Sequence, residues 1–364
     1  MTSGVEHLAS WKHGKLRPMK NKNGKKLRVI MLADETLLPE GDLKDYSEKQ
    51  RELRKTEFDV RDAIEALGHD LFSIGVSDDL STIRGAIDAH KPDIAFNLVE
   101  EFAGVGHFDQ HVVSYLELRK QPYTGCNPRG LTLARDKALT KKLLAYDGLL
   151  VPEFATFSKG RAVKRPEKLE FPLFVKSLTE EGSVGISTAS IVHDDAKLKE
   201  RVDYIHRTTN STALAEQFID GREIYVGVMG NQRVTALPPW EFSMTKKEDG
   251  APLIASDRAK WDPKYQRKVG LRTGPAKLSR KMQAKLSDHS KQIYRLLGMS
   301  GYARLDYRVT EDGAAYLLEA NPNPQIAKDE DFALSAKHTG MEYPELIEQL
   351  IRFGINYIPD RIIG

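Results

Sequence analysis

Residues 27–99 alternate between two periodicities, and this restricts the fold more than any other feature of the 364-residue chain. The apolar run "LRVIML" has strand character, "EFDVRDAIEALG" has helical spacing closed by Gly68, and "DLFSIGV" is a second strand. A helix over "TIRGAIDAH" follows, then a third strand, "PDIAFNLV", with Pro92 at its start. Strands separated by crossover helices pair in parallel, because each helix packs back on the sheet in the right-handed sense. Ligands of such sheets sit beyond the strand C-termini. That edge carries Asp34, Glu35 and the turn "NLVEEFAG" with Glu100 and Glu101.

A chain longer than the ~250–300 residues at which one core stops growing is expected to form two or three lobes. "YTGCNPRG" is a turn-rich connector into the helical "LARDKALTKKLLAYDG", which leads to "FPLFVKS", "ISTASIV" and "TALAEQFI". A third unit opens near "REIYVGVM" and holds "GYARLDYRVT", a hairpin turn at "EDG", "AAYLLEANP" and a terminal helix over residues 343–353. The expected division is a basic flexible tail at 1–26, a Rossmann-like unit at 27–125, a central unit at 126–213 and a C-terminal unit at 214–364. Within the last, the polar, lysine-rich residues 238–278 read as a long lid loop.

Lysine plus arginine total 55 against 52 acidic residues, so the net charge of +3 makes no general case for nucleic acid or membrane. Cys126 is the single cysteine, which excludes an intramolecular disulfide and fits a reducing compartment. No apolar run approaches the ~18 residues of a membrane span, so the cytoplasm is the expected location. The helix "HVVSYLEL" has an apolar face that is either core or the interface of a homodimer.

The chemistry concentrates near the C-terminus. Side chains two apart share a strand face, so Arg304 joins Asp306 on one strand and Glu319 joins Asn321 on another. If "EDG" is the turn between these strands, the four side chains meet. Two carboxylates and an amide oxygen suit magnesium bridged to substrate phosphates, with manganese as the alternative ion. A surface salt-bridge cluster on a hairpin is the competing reading. Lys176 ends a strand, and Gly182, Ser183, Val184 and Gly185 form a loop whose amides can turn inward around a phosphate. Alone, such a loop is equally a hairpin turn. Glu216 and Glu223 stand at the two ends of an apolar-flanked hinge, "AEQFIDGRE", suited to hydrogen bonds from ribose or adenine.

In order and spacing these stretches resemble the ATP-grasp superfamily, and within it the D-alanine–D-alanine ligase branch, over residues 27–353. The resemblance implies an α/β protein of ATP-grasp fold, in which a Rossmann-like parallel-sheet domain precedes two α+β domains. It implies ATP and magnesium as cofactors. It assigns Lys137 and Lys176 to the nucleotide, Gly182 to Gly185 to its phosphates, Glu216, Gln217, Phe218 and Ile219 to adenine, and Glu223 to ribose. Asp306, Glu319 and Asn321 fall at the metal ligands and Arg304 at the oxyanion arginine. Lys260, in "SDRAKW", matches a lid lysine that closes over the phosphates. The implied reaction begins with attack of a carboxylate on the γ-phosphate of ATP. An amine then displaces phosphate from the acyl phosphate to leave an amide or peptide bond.

The departures cluster on the substrate side. Ligases that join two D-alanines carry a serine in the phosphate loop, a tyrosine after the lid lysine and a glutamate after the first strand. Here Gly182 and Trp261 occupy the first two positions, and Glu35 and Glu40 both compete for the third. Beyond Asn321, Gln325 replaces a glycine, and Glu330 or Asp331 falls near a serine that receives a substrate carboxylate. A carboxylate there would oppose a substrate carboxylate by ~4 kcal/mol at ~4 Å and an effective dielectric of ~20. It would favour a cation, and Glu100 and Glu101 would add to that preference. The expected partners are a small-molecule carboxylate and an amine, joined by an ATP-dependent ligase acting on something other than D-alanine. D-alanine–D-alanine ligase itself is the alternative. A nucleotide-binding protein without ligase activity is a third reading, which the intact Arg304, Asp306, Glu319 and Asn321 set opposes.

Overall fold

The computed structural model describes residues 18–21, 23–180, 185–246, 253–254, 259 and 262–359. Among them, three sheets organise the chain. The first contains β1 (Arg28–Asp34), β2 (Asp70–Val76) and β3 (Ile94–Asn97), all parallel in the order β2-β1-β3. Val29 to Ala33 of β1 are buried without alternation, as a central parallel strand covered on both faces requires. Helices α1 (Glu48–Ala66) and α2 (Leu80–His90) make the crossovers. The first helix starts well before the apolar spacing at Glu57, because Ser47 and Gln50 form a capping box and the next turns are charged and exposed.

Helices α3 (Asp109–Leu118), α4 (Pro128–Arg135) and α5 (Lys137–Tyr146) follow. Val112, Val113 and Leu116 of α3 are buried in the chain's own core, so this apolar face is packing rather than a dimer surface.

The second sheet holds β4 (Phe154–Phe157), β5 (Leu173–Ser177), β6 (Ile191–Val192) and β7 (Ala213–Gln217) in the order β4-β7-β5-β6, with α6 (Asp195–Thr208) packed against it. The expected unit boundary at 214 therefore falls inside β7, an interior strand, and this sheet extends to Gln217.

The third sheet contains β8 (Arg222–Gly230), β9 (Val234–Ala236), β10 (Trp240–Met244), β11 (Leu271–Pro275), β12 (Tyr302–Val309) and β13 (Ala315–Pro322). Its order is β11-β10-β8-β12-β13, with β9 paired to β8. Helices α7 (Pro263–Val269), α8 (Arg280–Leu296), α9 (Asp331–His338) and α10 (Tyr343–Asn356) complete the elements. Much of the expected loop at 238–278 is thus strand and helix. Trp240 and Phe242 point from β10 into a small core with Tyr225 and Ala259, an alternation hidden by the surrounding lysines. Lys260 and Trp261 lie outside the described residues, as do Gly182, Ser183 and Val184.

The expected flexible tail is docked where it is described. The Met19 amide donates to Glu348 Oε1 at 2.6 Å, and its side chain packs against the core beneath α10. Glu348 is fully buried, and His69 Nε2 at 3.1 Å and Arg352 at 3.0 Å complete its partners. A buried carboxylate needs such partners, and Met19 supplies an amide and an apolar anchor from the basic tail.

One turn fixes the approach of β12 to the connector before α4. Gly301 has φ +69°, and a Cβ there would lie 2.2 Å from the Gly125 carbonyl oxygen. Gly301→Ala is expected to cost about 2 kcal/mol or more, from left-handed strain plus that collision. Denaturant unfolding checks this, and a change below ~0.5 kcal/mol would contradict it.

Candidate active site

Three neighbouring strands place the functional side chains in register. Along β12, Arg304, Asp306 and Arg308 share a face. Across β13, Arg304 pairs with Asn321 and Asp306 with Glu319. Across β8, Asp306 pairs with Tyr225 and Arg308 with Glu223. Arg304 grips Asp306 with two bonds of 2.8 Å, Nε to Oδ1 and Nη2 to Oδ2, and stacks over the Tyr225 ring at 4.5 Å. Asn321 Nδ2 donates to Asp306 Oδ2 at 2.9 Å, which orients the amide and turns its oxygen away from the carboxylate. Burial alone would lower the Arg304 pKa, but Asp306 outweighs it and holds the guanidinium charged.

Behind this face lies a buried ion cluster. Lys176, at the end of β5, is 2.9 Å from Glu216 Oε1, and Lys141 of α5 is 3.1 Å from Oε2. Burial would raise the Glu216 carboxyl, yet the two lysines outweigh it and hold it below the ordinary carboxylate range. Burial lowers Lys141, with Glu216 opposing the shift, whereas Glu216 and Glu319 together outweigh burial at Lys176 and raise it. Lys137 joins the two halves: its Nζ donates to the Glu180 carbonyl at 2.7 Å and lies 2.9 Å from Glu319 Oε1.

A cleft opens between the sheets, lined by Phe174, Lys176, Phe218, Ile219, Arg308 and Glu319 among others. Glu216, Gln217 and Glu223 also line it, so every residue expected at adenine and ribose faces one space. Both oxygens of Glu223 are engaged, Oε1 by the Tyr225 hydroxyl at 2.7 Å and Oε2 by Arg308 at 2.9 Å.

The family model for the D-Ala-D-Ala ligase C-terminus matches residues 143–352. The chain belongs to the D-alanine–D-alanine ligase family of ATP-grasp enzymes. It is 30% identical over 278 residues to a D-alanine–D-alanine ligase of Desulfotalea psychrophila, covering 75% of this chain and 81% of that one. An uncharacterized protein, y4sG, of Sinorhizobium fredii is 34% identical over 264 residues, covering 72% and 75%. The crystal structure of the Bacillus anthracis D-alanine–D-alanine ligase complexed with ATP superposes with a TM-score of 0.70 at 23% identity, over 91% of this chain and 97% of that one, and shows the shared fold.

Against that family pattern, the substrate side corrects one expectation. Glu330 does not face the cleft as an uncompensated carboxylate. Lys55 of α1 lies 2.5 Å from its Oε1, 2.7 Å from Glu52 and 3.6 Å from Asp329. The chain's own cation thus occupies the place expected for a substrate cation. Asp331 sits in the first turn of α9 and acts electrostatically on Arg304. Glu35, Glu100 and Glu101 are exposed at the edge of the parallel sheet, and Gln325 is half-buried in the turn after β13.

Asp306 and Glu319 offer hard carboxylate oxygens of the kind magnesium takes together with substrate phosphates, and the Asn321 amide, which here presents Nδ2 to Asp306, would add its oxygen on reversing. Among the described residues no group of three or more His, Cys, Asp and Glu is placed to hold a metal by itself. Lys141 and Arg308 are the site residues that the sequence reading missed. Lys141 follows Lys137 by one helical turn, and Arg308 continues the alternation of Arg304 and Asp306, so both had a signal.

Glu216→Gln would leave Lys141 and Lys176 buried without their paired carboxylate, at a cost of about 3–5 kcal/mol. Because the folded pKa of Glu216 is depressed, its contribution is complete above the ordinary value of 4.5 and is lost as pH falls through the lowered one. Comparing denaturant unfolding of variant and wild type at pH 7 and at pH 3 checks both. A variant equally stable at pH 7 would contradict the assignment.

Proposed function

We propose that this enzyme is an ATP- and magnesium-dependent carboxylate–amine ligase that forms an amide or peptide bond on substrates other than D-alanine. The observation that carries the reading is the face shared by Arg304, Asp306, Glu319 and Asn321, which borders the same cleft as Lys176 and the Glu216–Glu223 hinge. In this reading Lys137, Lys176 and the Gly182–Gly185 loop bind phosphates. Glu216, Gln217, Phe218 and Ile219 hold adenine, and Glu223, braced by Arg308 and Tyr225, holds ribose. The Ile219 amide has no partner among the described residues and lines the cleft. Asp306, Glu319 and Asn321 would hold magnesium, which supplies positive charge to the phosphoryl oxygens.

A substrate carboxylate oxygen bonds to the γ-phosphorus as the bond to the β-phosphate oxygen breaks and ADP leaves. The amine nitrogen then bonds to the acyl carbon, loses a proton, and releases inorganic phosphate with its oxygen. Lys176, Lys260 and Arg304 disperse the negative charge that develops in these steps.

D-alanine–D-alanine ligase activity is the second reading, favoured by the name of the Desulfotalea relative. Gly182 and Trp261 argue against it, because they remove the serine and tyrosine hydroxyls that the family uses around D-alanine, and Gln325 alters the turn that follows the metal ligands. A polar group left buried and unpaired on binding can cost ~10⁴-fold or more. ADP release should therefore be at least ~100-fold slower with saturating D-alanine than with the best member of a panel of D- and L-amino acids and amines. Robust D-alanyl-D-alanine formation would overturn this reading. Glu319→Gln should lower turnover by ~10²-fold or more with little loss of stability, as judged by ADP release and thermal unfolding. Full turnover in that variant would remove Glu319 from the site.

A further inference from the structure

We propose that Glu57 and Tyr343 form a subsite for a primary ammonium group of the substrate, beside the ligand edge of the parallel sheet. The identification of the bound group as substrate rests on the ligase reading; the subsite itself does not. Glu57 lies on α1 and is only 5% exposed, and its Oε2 is buried with no hydrogen-bond partner. The Tyr343 hydroxyl, from the first turn of α10, is likewise buried and unbonded. The two groups are near enough to interact electrostatically, yet neither bonds the other. Each orphaned atom calls for a partner that the described residues do not supply.

The surrounding charges say which group. Glu100, just after β3, and Asp34, at the end of β1, act on Glu57 and oppose an anion there, while Arg54 acts in the opposite sense. The other charged residues of α1 that meet the C-terminal half are already satisfied. Lys55 takes Glu330, and Asp59 accepts from the Lys328 amide and lies beside Lys328 Nζ, both at 2.9 Å. Arg54 donates to the Thr36 carbonyl at 2.5 Å. A guanidinium fork is matched by two oxygens of one carboxylate, whereas the orphans are single oxygens on two groups. A compact ammonium with three rotating donors matches that arrangement. Burial, with Glu100 adding to it, pushes Glu57 up to about 7, so a cation arriving at neutral pH meets a group that can ionise in response. This places the cation preference on Glu57, where the sequence had put it on Glu330.

The test needs no turnover, so its failure is separate from failure of the ligase reading. Thermal unfolding of the full chain is followed with millimolar putrescine at constant ionic strength, with 1,4-butanediol as a neutral control of the same length. Putrescine should raise the unfolding temperature of the wild type by about 2 °C or more, and the diol should not. Glu57→Gln should abolish the shift and Tyr343→Phe should at least halve it, while the shift caused by magnesium-ATP stays unchanged in both. Absence of a putrescine shift in the wild type, an equal shift with the diol, or a full shift in either variant would overturn the proposal and leave water as the bridging group. If Glu57→Gln does not fold, Tyr343→Phe decides.

Discussion

Glu216 is buried between Lys141 and Lys176, and the placement of the rest of the cleft follows from how those three charges are kept together. A carboxylate at that depth would otherwise be strongly disfavoured, and removing either lysine leaves an uncompensated charge. Lys141 reaches Glu216 from α5, Lys176 from β5, and Glu216 itself stands on β7. Lys141 Nζ also donates to the Leu318 carbonyl of β13 at 2.9 Å, which ties the cluster to the strand that carries Glu319 and Asn321. One ion cluster therefore sets the spacing between the four-stranded sheet and the sheet bearing Asp306.

The same logic governs the exposed side of the cluster. The cations Lys137, Lys141, Lys176 and Arg304 face the carboxylates Glu216, Glu319 and Asp306, so positive charge prevails where phosphates would lie. Lys137 and Arg304 already hold Glu319 and Asp306 in place. In the proposed reaction, phosphoryl oxygens compete with those carboxylates for the same two cations. Such pairing keeps side chains preorganised, and preorganised charge is what phosphoryl transfer draws on. Arg308 binds the Gly221 carbonyl at 2.9 Å as well as Glu223, so the hinge and the carboxylate proposed for ribose share one brace.

The regular parts of this design were legible in the sequence because period alone specifies them. Strand alternation placed Arg304 with Asp306 and Glu319 with Asn321, and the register of β12 with β13 brings the pairs opposite each other. The parallel order of the first three strands followed from their crossover helices. What was not legible depended on partners distant in sequence. Glu330 looked like an open carboxylate because Lys55, 275 positions away, gives no local sign of reaching it. Trp240 and Phe242 were lost in a polar segment whose strand character comes from pairing with β8 and β11. Met19 docks through a backbone amide, which no side-chain pattern reveals.

The central claim is that a substrate carboxylate is activated as an acyl phosphate at the face formed by β12 and β13. Hydroxylamine tests it most directly, since it intercepts an acyl phosphate in place of the natural amine. The enzyme is incubated with magnesium-ATP, hydroxylamine and individual candidate carboxylates, and hydroxamate is measured alongside ADP, AMP, phosphate and pyrophosphate. The account predicts that one class of carboxylate gives hydroxamate in equal amount with ADP. Hydroxamate accompanied by AMP and pyrophosphate, or ADP release with no hydroxamate from any carboxylate, would contradict it.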